Sequence, residues 1–278
     1  MSYLVETIAN DILAALQNDR LTLPSLPEVA LKVRDVAECD NSTILNLTDI
    51  IAQDAALSAR IIRVVNSPLL RAPQEVNNLT IAVSRLGMHY TSNLAIGLAM
   101  EQMFQATNEM IEKRLRALWQ LTGQVSNWAT VLATHCHLVP PDEALLAGLV
   151  HRLGALPILA YAEARDDLIQ DNITLGKVID RLHGPLGSAI LEKWSFPQKL
   201  ADVPRFYRKI NRNASAPDPA GLITLANLIH NRDRHIGWGL QNWEELPLFK
   251  TFNLPTDKKD PLYAQLAIRV AQSSSAFF

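Results

Sequence analysis

The sequence contains few cysteines: Cys39 and Cys136 are the two among 278 residues. Two cysteines cannot build the disulfide framework of a small secreted domain, and this usage is typical of a reducing cytoplasm. Neither has a second cysteine at the short spacing of a zinc site. His135-Cys136-His137 combines metal-binding side chains, but three consecutive helical residues point in different directions. The triplet is therefore a weak indication of a metal site.

Charged residues are also scarce, at 19% of the chain, and the formal net charge is −2. This balance provides no global attraction to nucleic acid or to an anionic lipid surface. The hydrophobic content of 48% excludes a disordered chain and indicates a compact globular protein. A chain of this length can bury one large core or two modest ones.

A basic leader followed by an apolar run is missing at the N-terminus, so we expect no signal peptide. Residues 145–161 form one long apolar stretch that could suggest a membrane span. However, Arg152 at its middle would cost roughly 2.5–3.5 kcal/mol to insert, and Pro157 interrupts the run. We therefore interpret residues 145–156 as the buried central helix of a cytoplasmic protein that does not associate with a membrane.

Strand signals are missing as well, because no segment alternates convincingly between apolar and polar residues. Apolar residues instead recur at helical spacing along the whole chain. The clearest helices are predicted at residues 3–17, 53–67, 89–104, 109–135, 219–231 and 261–273, and two more are expected to meet near His183-Gly184-Pro185. We predict an all-α fold in two packed subdomains, residues 1–108 and 109–278, divided at a polar break around Asn108.

The helix at residues 53–67 separates an apolar stripe from polar positions. Its stripe, which should face the core, consists of Leu57, Ile61, Val64 and Val65. Arg60 and Arg63 lie off the stripe, so they are candidates for contact with solvent or with a partner.

Several motifs together resemble the HDOD domain of bacteria. The first is IAQDAALSARIIRVVNS at residues 51–67, with LPSLP before it at 23–27 and NLTIAVSRLG after it at 78–87. LAGLVHRLG at residues 146–154, HGPLG at 183–187 and WSFP at 194–197 are similar to the HD-like half of that domain. The resemblance covers roughly residues 20–230. It implies an all-helical fold related to HD-type metal phosphohydrolases and a regulatory or signal-output role.

The resemblance also allows the metal ligands of an HD phosphohydrolase to be compared with this chain. His151 stands at the central histidine, but Arg152 replaces the adjacent aspartate, and a permanent cation cannot ligate a metal. No histidine occurs at the upstream position near residues 121–124, Tyr207-Arg208 replaces a histidine pair, and Asn227 replaces the late aspartate. We predict a vestigial pocket without a metal, a cofactor or catalytic residues, formed by His151, Arg152, His183, Tyr207, Arg208 and Asn227.

Structural roles are the alternatives for these residues. His151 could be a hydrogen-bonded core histidine, His183 could cap a helix, and Arg152 could pair with a carboxylate such as Asp180 or Glu192. Residues 205–212 form a basic run with aromatic residues, which is either a solvated loop face or a phosphate-binding segment. If the run folds over the vestigial pocket, it would place cations where an anionic ligand could bind.

The resulting prediction is a non-catalytic regulatory module that binds a protein partner of a bacterial signalling pathway or a small anionic ligand. Two alternatives remain open: an HD-type metal-dependent phosphohydrolase, and a nucleic-acid-binding regulator using residues 205–212. The near-neutral chain does not favour the second alternative.

Overall fold

A computed structural model describes residues 2–18, 20–68, 70, 74–235 and 237–277 of the chain. All regular structure in these ranges is helical, so the predicted all-α fold is confirmed. The first six helices are α1 (Ser2–Gln17), α2 (Glu28–Glu38), α3 (Ile44–Ala52), α4 (Ala55–Val65), α5 (Leu79–Leu86) and α6 (Met88–Ala99). They are followed by α7 (Glu109–Cys136), α8 (Pro141–Val150), α9 (Ala155–Glu163), α10 (Asp166–Gln170), α11 (Asn172–Lys193), α12 (Gln198–Ala201), α13 (Val203–Phe206), α14 (Pro219–His230), α15 (Pro247–Thr251) and α16 (Pro261–Phe277). Short 3₁₀ turns cover Met100–Met103, Gly237–Leu240 and Trp243–Glu245.

Polar side chains cap the short helices of the first part. The carboxylate of Asp54 accepts from the Leu57 amide at 2.9 Å at the start of α4, and Asn78 caps α5 in the same way. Each cap satisfies an otherwise unpaired amide and contributes about 0.5–2 kcal/mol. Within α4 the predicted stripe is buried as expected: Leu57, Ile61, Val64 and Val65.

Helix α7 is the long element against which α8, α14 and α16 pack. Its 28 residues extend about 42 Å, at about 1.5 Å per residue. Gly148 lets α8 approach it closely, because a Cβ atom there would lie 2.2 Å from the Cα atom of Ser126. The Ser126 hydroxyl also donates to the Leu145 carbonyl at 2.7 Å. These contacts fix the C-terminal end of α8, where the His-Arg pair lies.

The apolar stretch at residues 145–156 is not the single helix that we predicted. It ends α8 at Val150, turns through residues 151–154, and begins α9 at Ala155. The turn allows Gly154 to pack on α11, where a Cβ atom would lie 2.0 Å from the His183 carbonyl oxygen. In the described part of the chain, Pro141–Glu163 alone is long and apolar enough to cross a membrane. Of the most apolar 18 residues in this segment, 83% are buried inside the fold. That degree of burial fits a core segment.

Helix α11 continues through the point where we predicted two helices to meet. Its 22 residues include Pro185, which cannot donate the hydrogen bond expected at the Arg181 carbonyl. Gly184 and Gly187 on either side pack directly against Pro204, with hypothetical Cβ contacts of 2.9 Å and 2.7 Å. We attribute the continuous helix to this packing, which offsets the cost of the proline.

One hydrophobic core extends across the predicted subdomain boundary. At the boundary, the Glu163 carboxylate accepts from the Thr107 and Asn108 amides at 3.0 Å and 2.9 Å. The loop is thus fixed to the end of α9. The division into residues 1–108 and 109–278 stays a prediction.

Candidate functional site

The turn after α8 places His151 in the interior of the fold with no exposed surface. Its Nδ1 atom lies 2.6 Å from the Gly148 carbonyl oxygen. Since a carbonyl can only accept, Nδ1 carries the proton and Nε2 holds a lone pair. That Nε2 atom is buried without a hydrogen-bond partner. Burial lowers the pKa of His151 to about 3, so the ring is neutral at physiological pH.

His183 lies inside α11 and faces a tyrosine. Its Nδ1 atom donates to the Ile179 carbonyl at 2.6 Å, which leaves Nε2 to accept from the Tyr207 hydroxyl at 2.8 Å. Burial lowers the pKa of His183 to about 4. The ring is therefore a neutral acceptor buried beside Tyr207, and the alternative of a helix-capping His183 is wrong.

Tyr207 follows α13 and fills the space between the two imidazoles. Its ring centroid lies 4.8 Å from that of His151 and 5.7 Å from that of His183, both with edge-on geometry. The Thr224 hydroxyl of α14 donates to the Tyr207 carbonyl at 2.6 Å. Burial raises the pKa of the Tyr207 phenol, so it stays protonated as a donor.

A charged cluster borders the tyrosine. Arg208 Nη1 lies 2.6 Å from Asp180 Oδ1, and Arg152 Nη2 lies 3.9 Å from the same oxygen. The alternative of an Arg152–Asp180 ion pair is therefore present, although the Asp180 side chain is half-exposed. Glu192 instead faces Arg205 at 3.8 Å. Two guanidinium groups thus share one carboxylate, which leaves the cluster with a net positive charge.

The cluster opens into a cavity of about 410 Å³. Its walls are formed by Arg152, Asp180, Tyr207, Arg208, Ile210, Gly237, Trp238 and Gln241. The indole of Trp238 stacks on the ring of Tyr207, with centroids 6.2 Å apart and planes 18° apart.

Five of the six predicted pocket residues are brought together here: His151, Arg152, His183, Tyr207 and Arg208. Asn227 is buried in α14, where its amide donates to the Ile223 carbonyl at 2.9 Å. Like the buried His151 and His183, it does not line the cavity. The sequence analysis missed Trp238 and Gln241, which come from a segment outside the motifs. The tryptophan between two glycines at residues 237–239 was the one local feature that could have indicated this segment.

These residues do not fit a divalent metal ion. The lone pair of His183 Nε2 is engaged by the Tyr207 hydroxyl, and the residue after His151 is the cationic Arg152 rather than a carboxylate. Within the described ranges, no three His, Cys, Asp or Glu residues are grouped so that they could hold a metal. His151 Nε2 remains as a single imidazole ligand atom, which is too few to hold a catalytic metal ion.

The basic run at residues 205–212 is largely neutralised by carboxylates. Arg212 binds Asp218 through two bonds of 2.6 Å, and Arg205 and Arg208 face Glu192 and Asp180. These ion pairs weaken the basis for a nucleic-acid interface. Arg208 reaches the cavity, so the run does bring a cation to the pocket.

The two arginines of α4 differ in their surroundings. Arg63 is exposed to solvent. Arg60 is partly buried; it forms an ion pair with Glu101 and donates to the Leu98 carbonyl at 3.4 Å. Arg63 is therefore the more accessible of the two for a partner.

Comparison with known proteins gives a family and several relatives. The family model of the HDOD domain matches residues 23–210. An uncharacterized protein of Treponema pallidum (strain Nichols) is 25% identical over 213 residues, which cover 71% of this chain. The match spans 40% of that protein's length.

Solved structures share the architecture. A "putative metal-dependent phosphohydrolase" from Shewanella amazonensis SB2B is 29% identical, with a TM-score of 0.89 and 100% coverage of both chains. An HDOD domain protein with unknown function from Geobacter sulfurreducens has a TM-score of 0.64 at 16% identity, covering 100% of this chain and 98% of its own. The second similarity concerns the fold alone.

Proposed function

Since the chain belongs to the HDOD domain family, we propose that it is a regulatory module of signal transduction, which binds a protein or a small ligand without hydrolysing it. The observation that carries this proposal is that the Tyr207 hydroxyl engages the Nε2 lone pair of His183 and that the cationic Arg152 lies nearby. A hydrolase of this type needs several neutral or anionic ligands around a metal that activates water. Here a hydroxyl occupies one imidazole and a guanidinium adds positive charge.

Electrostatics supports the same conclusion. A divalent ion near Arg152 and Arg208 would face two permanent cations balanced by one carboxylate, Asp180. Like charges repel strongly in a partly buried site, where the effective dielectric constant is lower than in water. The neutral state of His151 and His183 lowers this repulsion but does not supply enough ligands.

The alternative is metal-dependent phosphohydrolysis. It is favoured by the similarity to the Shewanella amazonensis protein over the whole chain, and by the lone pair on His151 Nε2. The decisive assay is hydrolysis of bis-p-nitrophenyl phosphate with added Mn²⁺, Fe²⁺, Ni²⁺ or Zn²⁺. We expect wild type to match a His151→Gln control at background rate. Metal-dependent turnover that the control lacks would contradict the proposal.

Regulation by contact requires an accessible surface as well as a stable fold. We propose that the face of α4 that carries Arg63 binds a protein partner of a bacterial signalling pathway in the cytoplasm. Arg63→Glu reverses the charge at an exposed position, so partner capture from cytosol should fall while thermal unfolding stays unchanged. Lys113→Glu, at an exposed position of α7, is the matched control.

A further inference from the structure

The charged cluster at the cavity is incompletely paired. Arg152 approaches Asp180 no closer than 3.9 Å, which is beyond a hydrogen bond, and its Nε atom is buried without a partner. Asp180 gives its short contact of 2.6 Å to Arg208. Arg152 is thus a cation with donors left unused in the wall of a cavity. An anionic acceptor in the cavity would complete the charge pairing of the exposed part of its guanidinium group.

The cavity is larger than an inorganic anion requires. Its volume of about 410 Å³ falls within the range of about 300–1,000 Å³ that is typical of small-molecule sites. Trp238 and Ile210 provide an aromatic and an aliphatic wall, and Gln241 contributes an amide. An organic group attached to the anion could pack against these walls.

We propose that this cavity binds a small organic phosphate monoester, with its phosphate between Arg152 and Arg208 and its organic part beside Trp238. The inference rests on the proposed function, because it names the ligand that the regulatory module would sense. A phosphate monoester has three terminal oxygens, so it can accept from two guanidinium groups at once. Asp180 then acts as an internal counter-ion that the phosphate must displace from Arg208.

A substitution of Asp180 distinguishes ligand binding from a purely structural role of the cluster. Asp180→Asn removes the negative charge that is shared by the two arginines, so affinity for the phosphate should rise. A purely structural cluster predicts a loss of stability with no gain in binding. Arg152→Gln and Arg208→Gln should each weaken binding by about tenfold or more, since each removes a charge-assisted contact. Arg116→Gln removes an arginine outside the cavity and should leave affinity unchanged.

Isothermal titration calorimetry at fixed salt concentration tests the proposal with adenosine 5′-monophosphate, adenosine and inorganic phosphate as probes. We expect the monophosphate to bind at least about tenfold more tightly than inorganic phosphate, and adenosine to bind more weakly than the monophosphate by a similar factor. Trp238→Ala should reduce affinity for the monophosphate but not for inorganic phosphate. Thermal melts of each variant check that it folds. If Arg152→Gln is unstable, Arg208→Gln still tests the phosphate contact, because Arg208 is the more exposed of the two arginines.

Three results would overturn the assignment. They are no binding of the monophosphate at millimolar concentration, equal binding of monophosphate and inorganic phosphate, or affinity unchanged in both arginine variants. Any of these leaves the proposed regulatory function standing. Release of inorganic phosphate from the bound monophosphate would instead contradict the proposed function, so the two failures can be distinguished.

Discussion

Acidification should destabilise this protein well before its carboxylates are protonated, because two histidines are buried in neutral form. Their folded pKa values are lowered by burial, to about 3 for His151 and about 4 for His183, from an ordinary value of 6.5. Between these values the unfolded chain binds more protons than the folded one. The contribution of the two neutral histidines to the unfolding free energy is therefore fully present above pH 6.5. It is lost as the pH is lowered toward the folded pKa values.

The size of the effect follows from the same pKa values. On going from pH 7.5 to pH 5, each histidine contributes a loss of about 2 kcal/mol, or about 4 kcal/mol together, since one pH unit of differential protonation is worth about 1.4 kcal/mol. Burial also lowers the pKa of His230, which acts in the same direction. A loss of this size is a large share of a typical unfolding free energy of about 5–15 kcal/mol.

Urea unfolding at pH 7.5 and pH 5 measures this difference directly. His183→Gln removes one titrating group, so its loss of stability over the same interval should fall to roughly half that of wild type. His89→Gln replaces a histidine that is not buried and serves as a control. A wild-type unfolding free energy that is unchanged between the two pH values would refute the burial of neutral histidines in the pocket.

Three further predictions concern single side chains. Tyr207→Phe should cost about 1–3 kcal/mol in urea unfolding, because His183 Nε2 loses its only described donor, and an unchanged midpoint would contradict that hydrogen bond. Arg152→Asp alone should bind no metal by elemental analysis, since Tyr207 still engages His183; phosphodiesterase activity in this variant would show that the ligands have been misplaced. Ile61→Ala should lower the free energy of unfolding by about 2–5 kcal/mol, and Arg63→Ala by at most about 0.5 kcal/mol. Arg60→Ala should lie between them, because it removes the ion pair with Glu101. A reversed order would contradict the assignment of Ile61 to the core stripe.

Local patterns were sufficient to predict most of the helices. The stripe of Leu57 and Ile61 repeats at helical spacing, and Asp54 supplies a local cap, so α4 could be located without tertiary information. The two errors arose where distant segments decide the structure. The turn at residues 151–154 interrupts the expected helix where Gly154 packs on α11, and Pro185 remains inside a helix where Gly187 packs on Pro204. Sequence periodicity carries no information about such contacts between distant segments.

The pocket residues likewise divide into those that the sequence could predict and those that only the tertiary structure shows. His151 and Arg152 were found from their unusual position in an apolar run, and Tyr207-Arg208 from the family motif. The sharing of Asp180 by two arginines depends on how α11 lies against the segment after α13, which no local pattern reports. Trp238 enters from outside the family match at residues 23–210, and Asn227 occupies a helix position that does not line the cavity.

Nitrogen-15 NMR of the imidazoles during titration with Zn²⁺ tests the central claim most directly, because it reports on each histidine separately from His135 and His137. We predict that His151 and His183 are neutral with the proton on Nδ1, and that their Nε2 resonances stay unchanged through one equivalent of Zn²⁺. A coordination shift of both Nε2 resonances at one equivalent would show that the pocket is a functional metal site, and would contradict this account.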